Sequence, residues 1–426
     1  MENVFGAEKE TGQLMNSKTF CIYPFTGMVT REDGALKPCC RAEPIGFIQK
    51  ESLEEAWNNK NMQELRSKVL NGERPVECTS CWKLESQGVE SLRQRGLKTQ
   101  ELRNKTKNCN TIMPYEFPVL EIKLNNLCNL KCRMCNPLDS TQWKDWNEIS
   151  SYYKKENNYL YDTIKTLNLD NGSYIGLFDD NPNWVNSFKK IMPYLRIVEF
   201  GGGEPLMDPQ HYEILDMLSE YGDNIELRYA TNGTTLGIKG NRNIQNYWPK
   251  FKNVIVNVSI DGIHDVYEHI RSNGKFQEIK DNIEVIKTLP NITRIVGKHT
   301  AQAGNILHIA DTAEYFIDCM GIPFFSHRVS YPNVLSIQVL PKELKIIAQE
   351  RIEKFIDRFD NLNNKELYGI QLKDIVIPNL QDTIKFMNAK DHSHAFKDFI
   401  EFNQKLDKSR TSKSILDVNP EFAYYV

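Results

Sequence analysis

The chain has 426 residues, of which 40% are hydrophobic and 26% charged, with a formal net charge of −3. That length allows two or three domains, or one barrel with additions, and the near-balanced charge gives no electrostatic case for nucleic acid or an anionic membrane as the main partner. No run approaches the ~18 apolar residues of a membrane span, and the acidic stretch from Met1 to Glu10 lacks the layout of a signal peptide, so a cytoplasmic location is expected.

Ten cysteines in such a chain are expected to be reduced thiols with metal or redox roles rather than disulfides. Eight fall into two compact groups. Cys109 and Cys319 stand alone and are expected to be buried structural thiols.

Residues 1–90 read as a small α+β unit. Cys21 to Thr30 is predicted as a strand, Arg31-Glu32-Asp33-Gly34 as a tight turn in which Asp-Gly supplies the positive φ, and Ala35 to Cys40 as the returning strand. Ser52 and Glu55 make a capping box for a helix with Leu53, Trp57, Met62 and Leu65 inward, ending before Asn71-Gly72. A C-x2-C knuckle, Cys78 and Cys81, closes the unit. The spacing C-x17-C-x38-C-x2-C over Cys21, Cys39, Cys78 and Cys81 offers four thiolates, enough for a complete [4Fe–4S] cluster or a tetrahedral zinc. Cys40 competes with Cys39 as the second ligand.

Residues 91–118 form a linker. Arg93, Arg95, Lys98, Arg103, Lys105 and Lys107 give it a basic stripe, read as a solvated helix face, before Pro114 and Pro118. From Val119 to residue 340 apolar strands alternate with amphipathic helices, the pattern of parallel βα units. Strands are predicted at 119–125, 196–200, 226–231, 253–260, 293–299 and 334–340.

The first strand runs into Cys128, Cys132 and Cys135 at C-x3-C-x2-C spacing. Three thiolates on one loop can hold three irons of a cubane and leave the fourth open. The other reading is structural zinc or a fully ligated ferredoxin-type site. Zinc knots prefer two C-x2-C pairs, and no further cysteine follows until Cys319. Gly201-Gly202-Gly203-Glu204-Pro205 follows the second strand, Thr231-Asn232-Gly233 the third, and Ser259-Ile260-Asp261-Gly262 ends the fourth. His299, Thr300, Gln302 and Asn305 follow or end the fifth. The aromatic stretch with Trp143, Trp146, Tyr152, Tyr153, Tyr159, Tyr161 and Trp184 is read as core, with a substrate wall as the alternative. Residues 341–426 read as a helical extension, with helices at 341–360, 379–389 and 393–407.

The three-cysteine loop, with Met134 before its last cysteine, resembles the signature of the radical S-adenosylmethionine (radical SAM) superfamily. The N-terminal cysteine pattern resembles the twitch domain, the shortened SPASM unit that carries an auxiliary cluster, although here it precedes the barrel. The resemblance implies a partial (β/α)6 TIM-type barrel with catalysis at the strand C-termini. It implies a SAM-binding [4Fe–4S] cluster on Cys128, Cys132 and Cys135, and a second [4Fe–4S] cluster on Cys21, Cys39, Cys78 and Cys81. It places SAM against Met134, Gly202, Gly203, Glu204, Pro205, Asn232, Ser259, Asp261 and Val339, with Asn305 a further carry-over.

The implied enzyme cleaves SAM reductively to a 5′-deoxyadenosyl radical, takes hydrogen from a small polar metabolite and passes an electron to the auxiliary cluster. A flavodoxin- or ferredoxin-type reductant would feed it. Peptide or protein modification (crosslink, thioether or epimerisation), a redox-neutral isomerase and a non-catalytic iron–sulfur or zinc protein are the alternatives. The sequence does not assign a catalytic acid or base; His299 and His327 are candidates read by default as core or surface residues.

Overall fold

The computed structural model describes residues 17–86, 88, 90–99, 103, 109–179, 181–329, 331–360 and 365–425. Lys105, Lys107 and the stretch from Met1 to Glu10 lie outside the described residues. Nine strands form one sheet in the order β3-β2-β1-β4-β5-β6-β7-β8-β9. β4 (Val119–Ile122), β5 (Ile197–Phe200), β6 (Glu226–Thr231), β7 (Asn253–Ser259), β8 (Ile292–Ala301) and β9 (Phe324–Arg328) are the six parallel strands of the partial barrel. β1 (Gly27–Thr30), β2 (Ala35–Lys37) and β3 (Gly46–Phe47) belong to the N-terminal unit.

Alternation along the strands separates two faces. On β7, Val254, Val256 and Val258 are buried, whereas Asn253, Ile255, Asn257 and Ser259 are half-buried. The buried series packs outward under the helices, and the half-buried series faces the barrel lumen. β4 and β5 follow suit, with Leu120, Ile122, Val198 and Phe200 in the core and Glu121 and Glu199 toward the lumen.

The N-terminal unit does not stand apart from this sheet. β1 pairs in parallel with β4, Gly27 opposite Val119 and Val29 opposite Glu121, and β2 and β3 continue antiparallel beyond it. The stretch predicted as one strand from Cys21 divides: Tyr23–Thr26 makes a helical turn with Pro24 in its first positions, where a missing N–H is harmless, and the strand starts at Gly27. The turn forms as predicted, with Gly34 at φ 81° and its N–H donating to Arg31 O at 2.8 Å.

The capping box on Ser52 and Glu55 is present, but the helix it opens stops at Trp57. Asn59 then caps a second helix, Lys60–Leu70, by accepting from Met62 N. Asparagine competes well for backbone donors and so favours a fresh start over continuation.

The sixth barrel strand is not where the sequence placed it. Residues 334–340 form two 3-10 turns, Asn333–Leu335 and Ile337–Val339; the strand is Phe324–Arg328, paired with β8 from Gly297 to Ala301. Val334 to Leu340 are all buried, and a short continuous apolar run does not distinguish strand from other buried backbone. Cys319 is exposed and Cys109 half-buried, against the expectation of buried structural thiols. Beyond the barrel, helices Lys342–Asp360, Leu372–Ala389 and Phe396–Asp407 form the extension. Among the described residues no helix is long and apolar enough to cross a membrane.

Candidate active site

The three-cysteine loop leaves the C-terminal end of β4 and is braced on every side. Lys131 N donates to Ser272 O at 3.1 Å and Arg133 N to Ile270 O at 2.9 Å, which docks the loop on the turn after helix His264–Ile270. Trp143 Nε1 donates to Cys132 O at 3.2 Å and Tyr153 OH to Cys135 O at 3.3 Å. The aromatic segment is thus core: Trp143, Trp146, Tyr153 and Trp184 are buried, and only Tyr159 of that set is exposed.

Arg133 points away from the thiols and is fully buried. Its guanidinium donates to His269 O at 2.9 Å and Asn403 Oδ1 at 3.0 Å, and pairs with Asp407 on helix Phe396–Asp407. Arg410 adds Nη1 to Lys131 O at 2.7 Å and lies 4.7 Å from the Trp143 ring centroid. The C-terminal extension therefore holds the loop from beneath.

Burial pushes the Cys128 thiol up to about 12. Cys135 donates to Cys132, which holds Cys132 low and drives Cys135 well up. Around the loop, Leu130 N approaches Cys128 Sγ at 3.4 Å, Asn232 Nδ2 the same sulfur at 3.7 Å, and Arg271 Nη1 reaches Cys132 Sγ at 3.6 Å. Gln302 Nε2 lies 4.0 Å from Met134 Sδ.

The glycine turn after β5 meets the loop directly. Gly202 and Gly203 have φ of 73° and 43°, and a Cβ on Gly203 would sit 2.4 Å from Leu127 O. Only glycine tolerates both the left-handed backbone and this approach. Glu204 N donates to Leu127 O at 2.7 Å, and Pro205 is buried beside it. The Glu204 carboxylate accepts from Leu206 N at 3.1 Å, Thr231 Oγ1 at 2.6 Å and Asn232 N at 2.6 Å. Burial raises it to about 7 while these donors pull it back. The predicted glycine turn and Thr-Asn-Gly turn are thereby one unit. Asn232 Nδ2 also donates to Asn129 Oδ1 at 2.9 Å, tying that unit to the loop.

Asp261 is fully buried and does not face open space. Its Oδ1 accepts from Thr300 N at 2.5 Å and its Oδ2 lies 2.6 Å from Arg271 Nε. Asn305 donates to Asp261 O and Thr300 O, both at 3.0 Å. Asp261 thus holds a guanidinium at the cysteine loop, and Arg271 is a site residue that sequence reasoning missed. Its one sequence signal is a lone cation ending the helix that follows Ser259 to Gly262. Ser259 is half-buried on the lumen face. Val339 lies in the 3-10 turn Ile337–Val339 and does not directly follow a sheet strand; Val329 occupies that place, its N–H donating to Ala301 O at 3.0 Å. His299 faces the core, Nδ1 3.1 Å from Ser326 Oγ and held down at about 4 by burial, whereas His327 is on the lumen side opposite Thr300.

In the N-terminal unit Cys21, Cys39, Cys78 and Cys81 line one cavity, which Tyr23, Arg41 and Arg93 also face. Cys40 is exposed and lies outside that lining, with Glu121, Lys123 and Glu199 acting on it. Burial raises the thiols of Cys21, Cys39 and Cys78.

A parallel partial barrel with a thiol-bearing loop at the C-terminal end of its first strand, and a second thiol cavity on the same sheet, defines an iron–sulfur barrel enzyme. Residues 122–313 match the radical SAM superfamily and residues 21–82 the SPASM iron–sulfur cluster-binding domain. Residues 122–313 thus carry a radical SAM domain, which implies SAM and one [4Fe–4S] cluster, and residues 21–82 a SPASM domain, which implies an additional iron–sulfur cluster.

Solved structures similar to it include anSMEcpe with bound AdoMet (15% identity, 58% of this chain and 62% of that one, TM-score 0.34). Others are Streptococcus suis SuiB bound to S-adenosylmethionine (14% identity, 70% and 61%, TM-score 0.32) and TYW1 with a lysine-pyruvate adduct bound (12% identity, 61% and 78%, TM-score 0.31). The chain spans less than two thirds of the length of the first of these. No curated protein matches it by sequence.

Proposed function

We propose that the protein is an oxidative radical SAM enzyme that acts on a small polar metabolite and returns one electron to the auxiliary cluster. The observation that carries this reading is the cavity shared by Cys21, Cys39, Cys78 and Cys81. Four protein thiolates satisfy every iron of a cubane, so that cluster has no corner for substrate and suits electron transfer. Among the described residues no three His, Cys, Asp or Glu side chains converge on a single-ion site. The thiols surround a space, which fits a multi-iron group better than a lone zinc.

Cys128, Cys132 and Cys135 would hold the SAM cluster, their three-donor set leaving one iron for the cofactor. When bound, cluster and SAM together supply hydrogen-atom abstraction from an unactivated C–H bond. The chain's own residues bind and orient. Glu204, with three of about four acceptor positions filled, keeps one for the SAM ammonium. Arg271, aimed by Asp261, offers its guanidinium to the SAM carboxylate. Ser259 presents a hydroxyl, Asn232 positions the turn and Met134 packs over the loop. The role given to Val339 passes to backbone near Val329. The half-buried polar wall of the lumen, Glu121, Glu199, Asn257 and Lys298, favours a hydrophilic substrate.

The test is anaerobic reconstitution with iron counting and SAM turnover, comparing wild type with Cys78→Ala. The variant is expected to lose about four irons, to keep SAM cleavage and to lose oxidised product. Unchanged iron content would remove the auxiliary cluster from the account. Deuterium transfer from labelled metabolites, but not from peptides, into 5′-deoxyadenosine would support the substrate class.

A further inference from the structure

The lumen wall carries two opposite charges that the proposed cofactor contacts leave out. Opposed residues of a parallel pair share a face, so Glu121, Glu199 and Arg228 form one row across β4 to β6, and Ser259, Lys298 and Phe325 another across β7 to β9. Ala230, two residues beyond Arg228 on the same face, is exposed, so the lumen is open to solutes.

Two charges on this wall are answered locally. Lys123 pairs with Glu121 at 3.1 Å and Arg228 with Glu226 at 2.6 Å. The side chains of Glu199 and Lys298 show no ion pair or hydrogen bond among the described residues; Lys298 Nζ instead lies 4.4 Å from the Phe325 ring centroid. They act on each other through space without touching. Burial and the neighbouring Glu121 raise the Glu199 carboxyl, and burial with Arg95 lowers the Lys298 ammonium to about 8. Arg228 and Lys123 also act on Glu199 from a distance, but neither Glu199 nor Lys298 has an oppositely charged partner in contact, and partial desolvation without one costs free energy until a ligand supplies it.

We propose that the lumen binds a small zwitterion, an amino-acid-like molecule with its ammonium on Glu199 and its carboxylate on Lys298. A simple amine would leave Lys298 unanswered and a simple acid would leave Glu199 so. A residue inside a peptide carries neither backbone charge, so the pair selects free molecules. Lys298 lies opposite Ser259 on β7, which sets the carboxylate end of the ligand beside the strand that bears the SAM motif. The inference rests on the reading of the lumen as the reaction chamber.

Competitive labelling tests it. Reconstituted holoprotein with SAM is treated with trace acetic anhydride at mildly alkaline pH, and Lys298 acetylation is read by peptide mass spectrometry relative to exposed Lys60. Normalising to Lys60 cancels reagent consumed by free amines. The proteinogenic L-amino acids, β-alanine and γ-aminobutyrate are tried singly at millimolar concentration, against alkylamines and alkylcarboxylates of matching size.

At least one zwitterion is expected to protect Lys298 about tenfold, equivalent to about 1.4 kcal/mol, and the single-charge controls less than about twofold. Protection should vanish in Glu199→Gln, whose iron content reports that the fold is intact. No protection by any zwitterion, or equal protection by an amine or acid alone, overturns the proposal even if wild type consumes SAM. Failure of wild type to consume SAM would instead overturn the underlying function.

Discussion

Replacing Asp407 by alanine should loosen the SAM-cluster loop from a distance. Arg133 lies between Cys132 and Cys135 in sequence, is fully buried, and has Asp407 as its carboxylate partner while Asn403 and His269 O supply neutral acceptors. Burial holds Arg133 down at about 9, still charged at neutral pH. Taking away one member of a buried pair leaves an uncompensated charge, worth about 3–5 kcal/mol. Asp407 Oδ2 also accepts from Ile415 N at 3.1 Å, so the start of helix Ile415–Val418 loses a partner as well. Urea unfolding followed by tryptophan fluorescence reports the change, since Trp143 and Trp146 pack beside the loop. The double variant Arg133→Met, Asp407→Leu should recover most of the loss, because apolar replacement of a buried pair is often neutral. A cost below about 1 kcal/mol for Asp407→Ala, typical of exposed ion pairs, would refute the claim that the extension anchors the loop.

Gly203→Ala should weaken SAM binding measured by calorimetry, since its Cβ would meet Leu127 O at 2.4 Å on a left-handed backbone; strain of about 1–3 kcal/mol predicts a loss of about fivefold to 150-fold. Glu204 titrates near 7, raised by burial above the usual carboxylate range, and the SAM ammonium requires its charged form. Affinity should therefore rise from pH 5 to about pH 7 and level off above, a dependence that Glu204→Gln abolishes. Cys39→Ala should lose about four irons and Cys40→Ser none, because Cys39 and not Cys40 lines the four-thiol cavity; equal losses would make Cys40 a ligand.

The cysteine loop and the glycine turn were legible because their chemistry is carried by neighbours in the chain: spacing alone puts three thiols on one loop, and Gly202 and Gly203 announce a close approach. Residues joined only by the fold were not. Arg271 reaches Cys132 across 139 positions, and its one local mark is that it ends the helix after the fourth barrel strand. Asp261 was read as a cofactor contact, and its neighbours Arg271 and Thr300 N, which the fold brings to it, were not foreseen. The last strand was misplaced because Val334 to Leu340 is the more hydrophobic run. Phe324–Arg328, with its polar lumen-facing His327, is the one that finds a ladder on β8. The pair Glu199 and Lys298 depends on register, which no single strand reveals.

The unbroken ladder from β3 to β9 has a mechanical consequence. Cys39 lies just past β2 and Cys21 just before the helical turn that leads into β1, while the other thiol loop hangs from β4, the immediate neighbour of β1. Main-chain bonds between strands about 4.8 Å apart fix that interval as firmly as any wall of the barrel. On the proposed ligand assignment, the gap an electron must cross between the two centres is a constant of the architecture. Turnover would then be governed by what enters the open mouth, with no hinge between the centres to set its pace.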